Sequence, residues 1–423
     1  MIRSLFILAF LLVSIASFTS QANPFTLGER VEINSKLLAQ KRQLQILLPE
    51  NYHAHLNASY PVIYLMDGDY NFSGVAGMLD LLANKGQRIP DVIVVAISDK
   101  GTDSYHKFTT PDSIATPRDD KVIGQAKLFL SFLTDEVQPF IEKKYRTSPH
   151  KSIVGHSMGG LFVLNALIEQ PTSFNNYIAI SPSVWLGDNA IVKRAESKLK
   201  ISDDKPVSLF LSLGDETRMG QYDLLNFLDV NQPANLNWSF SHYDDENHNS
   251  VGLIALRNNL KTLFNAWYIP EKQLAKFDSA TDIIGHYQQV MDEFDFQQSI
   301  PKAAIKAAIR MHYKAGLVQE LPNFIQYASE QLPASKQAFI AMQASYAGHF
   351  DSPKTALALL KAVEVEFKHS IEHIKAIAGV YEQLADMTSA HHYYQRALVV
   401  AKQQKAQQWQ VNILHAKIAA TDK

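Results

Sequence analysis

Residues Lys151 to Gly160, KSIVGHSMGG, contain the pattern that decides the fold of the chain around them. An apolar run ends at Gly155, Ser157 follows, and Gly159-Gly160 leads into the helix-like run LFVLNALIEQ. This order predicts a strand, a sharp turn and a helix, because glycine permits the close backbone approach that such a turn requires. A serine at the centre of the pattern G-x-S-x-G is typical of a hydroxyl exposed above a sheet. A glycine-rich turn without chemistry remains the simpler interpretation of these residues alone.

The composition is that of an ordinary globular protein. The chain has 423 residues, 46% of them hydrophobic and 19% charged, with a formal net charge of −2. Such a length predicts two domains rather than one core. A near-neutral chain lacks the basic excess of proteins that bind nucleic acid, so no nucleic-acid partner is predicted.

Residues 1–22 have the pattern of a secretory signal peptide. Arg3 gives a short positive start, Leu5 to Phe18 is apolar, and Ser20-Gln21-Ala22 is a small-x-small ending. The alternative is a transmembrane anchor, but the apolar run is shorter than the roughly 20 residues that span a bilayer. With no cysteine in the sequence, this predicts export to a bacterial periplasm and no membrane span in the mature chain.

Short apolar runs alternate with helical patterns between residues 23 and 270, which we predict to be one α/β domain. The helical patterns include Gly124 to Tyr145, with an apolar face at spacings of three and four, and Val251 to Trp267. The predicted strands are Gln43 to Leu48, Val62 to Met66, Val92 to Ser98, Ser152 to His156, Tyr177 to Ser181, Val207 to Leu213 and Asn237 to Tyr243. Apolar runs without alternation indicate strands buried on both faces, so a three-layer sandwich around a mainly parallel sheet is expected.

Beyond Pro270 the strand patterns end, and residues 271–423 are predicted to be all helical. A pattern of large and small residues repeats after 34 positions, which is typical of tetratricopeptide helix pairs. Its two copies are Ile340, Ala344, Ala347, Ala356, Leu360 and Val363, then Ile374, Ala378, Tyr381, Ala390, Tyr394 and Ala397. Residues 301–331 form an earlier candidate pair, and helical hairpins without repeat ancestry are the alternative. Such stacks usually bind a protein or peptide partner in a concave groove.

Groups that could activate Ser157 follow it in the order serine, acid, histidine. Asp215 and Glu216 come after one strand in the run GDET, and His248 comes after the next in DDENHNS. This is the order found in α/β-hydrolases, where histidine takes the serine proton and the acid orients the histidine. An oxyanion hole would use the Met158 amide and a second amide from the loop YLMDGDYNF.

The segments FLTDEVQPFIEKKYRTSPHKSIVGHSMGG, FNNYIAISPSVW, GDET and ENHNSV resemble the esterase family that includes enterobactin-type siderophore esterases and esterase D. Mycobacterial mycolyltransferases are more distant relatives. The resemblance extends from Phe25 to Trp267 and implies an α/β-hydrolase fold and cofactor-free hydrolysis of small carboxylic esters. It implies Ser157 as the nucleophile, His248 as the general base and acid, and the amides of Met158 and Asp69 as oxyanion donors.

The resemblance places the acid about thirty residues before the histidine, which barely separates Asp215 from Glu216. We select Glu216, because relatives often carry glutamate there and its longer side chain reaches across the loop, and Asp215 remains the alternative.

The substrate cleft is the part that the sequence describes least well. Relatives carry an arginine-rich segment where this chain reads GTDSYHKFTTP, so His106 is a candidate substrate contact and a solvated loop is the alternative. Trp185 is a second candidate, with core packing as its alternative. His156 is expected to be a structural neighbour of the serine. The acidic run before His248 lacks the spacing of a metal site, and none is predicted.

The sequence therefore predicts an exported serine ester hydrolase that acts through an acyl-serine on a siderophore-like or other small ester. Two other functions remain open. The helical region could make the protein a partner-binding scaffold, and the same catalytic groups could transfer the acyl group to an acceptor other than water.

Overall fold

A computed structural model describes residues 26–201 and 205–422 of the chain. The predicted signal peptide, residues 1–22, lies outside these ranges. Within them, no helix has both the length and the apolar character needed to cross a membrane.

A single eight-stranded sheet forms the centre of the α/β part, with strand order β1-β2-β4-β3-β5-β6-β7-β8. The strands are β1 Glu29–Ser35, β2 Gln40–Leu47, β3 Tyr60–Leu65, β4 Ile93–Ile97, β5 Thr147–His156, β6 Asn176–Ile180, β7 Val207–Leu213 and β8 Leu236–His242. β1 and β2 pair antiparallel, whereas β4, β3 and β5 to β8 run parallel. The predicted parallel sheet is confirmed, and β1 is an edge strand that we did not predict.

Helices cover both faces of the sheet. They are α1 Gly68–Leu79, α2 Thr102–Thr109, α3 Ala126–Ser131, α4 Gln138–Lys144, α5 Met158–Glu169, α6 Leu186–Lys198, α7 Gln221–Asn231 and α8 Val251–Leu263. A π-helical segment, Phe132–Val137, joins α3 to α4, so the helix predicted over 124–145 is one continuous helical stretch with a wide turn inside it. A second π-helical segment, Asp80–Lys85, extends α1.

Helices alone follow the sheet. They are α9 Glu271–Leu274, α10 Ala280–Phe294, α11 Lys302–Ala315, α12 Leu321–Gln331, α13 Lys336–Phe350, α14 Pro353–Ala362, α15 Ile371–Gln383, α16 Met387–Gln403 and α17 Gln408–Thr421. Most of the repeated positions are buried, among them Ala344, Ala356, Ala378, Ala390 and Ala397. The helical region is confirmed, and its tetratricopeptide ancestry stays a prediction.

One apolar core is continuous between the sheet and the helical region that follows it. Alternate residues of the central strands, such as Ile63 and Val154, point to the sheet face that carries α1 and α8, and they share one cluster with Tyr287 and Ile305 of the helical region. The opposite sheet face packs on α3 to α7 in a second cluster. A third cluster, which begins at Ala344, holds the last helices together. The domain boundary at residue 270 stays a prediction, and α10 to α12 pack onto the α/β part.

Candidate active site

Ser157 stands at the turn between β5 and α5, where the sequence predicted it. Its backbone has φ 57° and ψ −116°, a conformation that non-glycine residues rarely adopt. The small neighbours explain how the turn closes, because a Cβ atom on Gly155 would lie 2.2 Å from the carbonyl oxygen of Gly159. The Ser157 amide donates to the Ile180 carbonyl at 2.9 Å, which fixes the turn to the end of β6.

His248 and Glu216 complete a hydrogen-bonded chain with this serine. His248 lies in the loop after β8, and its Nε2 is 3.0 Å from Ser157 Oγ. Its Nδ1 is 2.5 Å from Glu216 Oε2, on the loop after β7. The carboxylate of Glu216 is only 8% exposed, whereas the imidazole of His248 is 35% exposed. A protonated Nδ1 leaves Nε2 free to accept the serine proton, which is the arrangement that general-base activation requires.

Asp215, the alternative acid, is placed differently. Its side chain is exposed, and its amide donates to the Glu246 carbonyl at 2.6 Å. Glu216, by contrast, accepts from the Ser181 hydroxyl at 2.5 Å and from the Gly214 amide at 3.2 Å through Oε1. Of these two acids, the structure brings Glu216 against His248.

Met158 and Asp69, the predicted oxyanion donors, both lie in the first turn of a helix. Met158 begins α5 and Asp69 is the second residue of α1, so their amides have no acceptor within their own helices. The Asp69 carboxylate accepts from Gln45 Nε2 at 2.8 Å and from the Asp99 amide at 2.9 Å. These contacts hold the loop after β3 at the carboxyl edge of the sheet, beside the serine turn.

His156 lies beside the reactive histidine. The ring centroids of His156 and His248 are 4.6 Å apart. Burial, with a smaller contribution from the neighbouring His248, lowers the pKa of His156 to about 4. A neutral ring therefore packs on His248 at neutral pH, as expected of a structural neighbour, and it adds no second positive charge to the site.

Two serines that follow β6, Ser181 and Ser183, lie in the site, and the sequence did not predict them as site residues. The Ser183 hydroxyl lies 3.4 Å from Ser157 Oγ, and its amide donates to the Ser157 carbonyl at 3.1 Å. Ser181 binds the Glu216 carboxylate and has φ 42°. The run Ser181-Pro182-Ser183 was visible in the sequence, but nothing in a single sequence shows that these hydroxyls point towards Glu216 and Ser157.

The two predicted cleft residues differ in setting. Trp185 lies two residues after Ser183 and is 43% exposed. Its amide donates at 3.0 Å to the carbonyl of Met219, on the loop that carries Glu216. His106 lies on helix α2, so the solvated loop predicted as its alternative is wrong, because residues 102–109 are helical. Burial lowers the pKa of His106. Its neighbour Tyr105 points inward and contacts the serine turn.

No metal site accompanies these groups in the part of the chain that the structure describes. No three His, Asp or Glu side chains among residues 26–201 and 205–422 are close enough to hold an ion. The acidic residues Asp244 to Glu246 precede His248 on an exposed loop.

Comparison with known proteins agrees with this geometry. The family described as "Putative esterase" matches residues 35–251. Ferri-bacillibactin esterase BesA of Bacillus subtilis is 28% identical over 217 residues, which are 46% of this chain and 75% of BesA. Siderophore triacetylfusarinine C esterase of Aspergillus fumigatus is 31% identical over 165 residues, 36% of this chain and 56% of that protein.

A solved structure extends the similarity beyond the sheet. The IroE-like serine hydrolase of Shewanella oneidensis is 26% identical, with a TM-score of 0.59, and the alignment covers 74% of this chain and 99% of that protein. The α/β-hydrolase fold predicted from the serine turn is confirmed. The chain belongs to this esterase family, and it is an enzyme that hydrolyses esters.

Proposed function

We propose that the chain is an exported serine esterase in which Ser157, His248 and Glu216 form the catalytic triad. The observation that carries the proposal is the continuous hydrogen-bonded chain from Ser157 Oγ through His248 to Glu216, at 3.0 Å and 2.5 Å. Export rests on the sequence pattern of residues 1–22 alone.

Acylation begins when Ser157 Oγ attacks the ester carbonyl and His248 Nε2 takes the hydroxyl proton. The carbonyl becomes an oxyanion, which accepts hydrogen bonds from the amides of Met158 and Asp69. Glu216 stabilises the imidazolium that forms, since its Oε2 accepts from Nδ1. The C–O bond to the alcohol then breaks, His248 returns the proton to the leaving oxygen, and the acyl group remains on Ser157.

Deacylation repeats the same steps with water. His248 takes a proton from water, the hydroxide equivalent attacks the acyl-serine carbonyl, and the oxyanion forms in the same place. Collapse of the intermediate returns the proton to Ser157 Oγ and releases the carboxylic acid. The cycle consumes one ester and one water, and it needs no cofactor.

For the substrate, we propose a siderophore-like or similar small ester. Two relatives carry siderophore ester hydrolysis in their names, one for bacillibactin and one for triacetylfusarinine C. The rim of the site offers an exposed aromatic surface at Trp185, which suits a planar or apolar acyl group. A panel of siderophore lactones, aryl acyl esters and thioesters would rank these classes by kcat/KM.

Ser157→Ala tests the proposal directly. We expect this variant to lose hydrolysis of an aryl ester while its thermal unfolding midpoint stays close to that of the parent. Ser173→Ala, a serine whose hydroxyl binds Gln170 away from the site, serves as the matched control and should keep full activity. Turnover that survives in Ser157→Ala would refute the assignment of the nucleophile.

A further inference from the structure

A buried carboxylate, Asp67, lies against the serine turn without belonging to the triad. It follows β3 and is 7% exposed. Its Oδ2 accepts from the His156 amide at 3.2 Å. A Cβ atom added to Gly159 would lie 2.5 Å from the same oxygen, so the carboxylate packs directly against the start of α5.

The hydroxyl of Tyr105 joins this carboxylate to the far side of the turn. The Gly159 amide donates to the Tyr105 hydroxyl oxygen at 2.8 Å. The same hydroxyl lies 3.5 Å from the His156 carbonyl oxygen, to which it donates, and it is close enough to the Asp67 carboxylate to lower its pKa. His156 and Gly159 are the residues on either side of Ser157-Met158. Asp67 therefore holds the turn at its His156 end, and the neighbouring Tyr105 hydroxyl joins the two ends.

The backbone of Asp67 fixes a second element of the site. Asp67 has φ 58° and ψ 40°, and its carbonyl accepts from the amides of Tyr70 at 3.1 Å and Asn71 at 3.0 Å. These bonds start helix α1 and set the direction of the Asp69 amide. A Cβ atom on Gly68 would lie 2.7 Å from the Ile97 carbonyl, so this loop has little freedom to move.

We propose that Asp67 and Tyr105 are positioning residues that hold the two oxyanion donors, the Met158 and Asp69 amides, at a fixed distance from each other. The two donors come from separate loops. The Asp67 carbonyl caps the helix turn that contains the Asp69 amide, and the Asp67 side chain binds the serine turn that contains the Met158 amide. The inference rests on the proposed esterase mechanism, since it concerns the oxyanion of that reaction.

The protonation states suit this role. Burial raises the pKa of Asp67 to about 6, and the neighbouring Tyr105 hydroxyl and His156 amide act in the opposite direction. Burial also raises the pKa of Tyr105 well above its ordinary value, so its hydroxyl remains a donor at neutral pH. At pH 8 Asp67 is therefore a carboxylate that accepts from the His156 amide, and Tyr105 is a neutral phenol that donates to the His156 carbonyl.

Tyr105→Phe and Asp67→Asn test the proposal with an aryl ester. Tyr105→Phe removes the hydroxyl that joins the two ends of the turn, and Asp67→Asn replaces the charged acceptor of the His156 amide by a weaker, neutral one; neither changes side-chain size much. Loss of a whole oxyanion donor costs on the order of 10²–10³ in kcat, and a misplaced donor should cost less, so we expect kcat to fall roughly 10- to 100-fold. KM should change by less than about threefold, because the ground-state carbonyl depends little on the oxyanion donors.

A second readout separates positioning from a general loss of structure. An alkyl trifluoromethyl ketone, which forms an oxyanion adduct with an active-site serine, should bind the variants more weakly by the same factor as the fall in kcat/KM. Tyr177→Phe and Asp91→Asn are the matched controls. Tyr177 is a buried tyrosine, Asp91 is a half-buried aspartate whose pKa is also raised by burial, and both lie away from the serine turn. Both should keep the parental kcat and ketone affinity.

The kcat values and ketone affinities of the two variants and their controls decide whether Asp67 and Tyr105 position the oxyanion donors. Parental kcat and ketone affinity in both variants would overturn the proposal, and so would an equal loss in the controls. If Asp67→Asn does not fold, Tyr105→Phe decides alone, since it removes a single oxygen atom. Activity that persists in Ser157→Ala would instead refute the esterase mechanism, independently of Asp67 and Tyr105.

Discussion

The strongest test of the triad is Glu216→Gln, because the surroundings of this side chain dictate how the amide must sit. Oε1 of Glu216 accepts from the Ser181 hydroxyl and the Gly214 amide, whereas Oε2 faces His248 Nδ1. A glutamine keeps its carbonyl oxygen towards the two donors. Its NH₂ group then points at Nδ1, which favours the tautomer with the proton on Nε2.

That tautomer cannot accept the proton of Ser157. Replacing the triad carboxylate by its amide in a serine protease lowers kcat by about 10⁴, for the same reason. Each tenfold loss corresponds to 1.36 kcal/mol, so the expected loss of transition-state stabilisation is about 5.4 kcal/mol. The side chain keeps its volume, so the fold should survive, although burial of a mismatched amide costs about 1–3 kcal/mol of stability.

Initial rates of aryl-ester hydrolysis at pH 8 measure the effect, with the thermal unfolding midpoint as the check on folding. Asp215→Asn is the matched control. Its side chain is exposed on the adjacent residue, and we expect its kcat to stay within about twofold of the parent. The reasoning would be refuted if Glu216→Gln kept kcat within tenfold of the parent, or if Asp215→Asn lost as much.

Two further predictions concern stability. Burial raises the pKa of Asp91 to about 6, so ionisation of this carboxyl destabilises the fold at pH values above 6 and has no effect below about pH 4. Asp91→Asn should therefore raise the free energy of unfolding by about 1–3 kcal/mol at pH 8 and change it little at pH 4. Urea unfolding at both pH values measures the difference. A pH-independent effect would contradict this sign. A chain that ends at Pro270 should aggregate, because it uncovers the sheet face that packs on α10 to α12, whereas a chain that ends at Phe350 should keep its esterase activity. Full activity in the chain that ends at Pro270 would show that the core shared with the helical region is not needed for folding or catalysis.

The parts of the fold that the sequence predicts are those that local chemistry determines. Strands buried on both faces have short apolar runs bounded by turn residues, and the glycines around Ser157 allow the close backbone approach of its turn. β1 reads ERVEINS, in which Val31 and Ile33 alternate with polar residues as in an edge strand, but two apolar residues make this pattern weak. The order of acid and histidine after the serine predicted which loops meet, since both follow parallel strands at the same edge of the sheet.

The parts that it missed depend on distances between residues far apart in the chain. Tyr105 and Gly159 are 54 positions apart, and their hydrogen bond exists only because α2 packs over the start of α5. Ser181 and Glu216 are 35 positions apart and meet because β6 and β7 are neighbours. The prediction of Glu216 rather than Asp215 rests on the glutamate of relatives and on side-chain reach, and the distance from Glu216 to His248 gives it a physical reason.

The helical region contacts the sheet at the edge opposite the site. Gln297 pairs with Ser59 before β3, and Gln298 binds the backbone of Asp91 before β4 at 2.8 Å. Phe294 packs on His150 near the start of β5, with ring centroids 4.9 Å apart. The parallel strands run from these contacts to the triad. A ligand of the helices on that side would therefore lie away from Ser157, and any effect of such a ligand on catalysis would have to pass through the sheet or through α1 and α8, which share a core with the helical region.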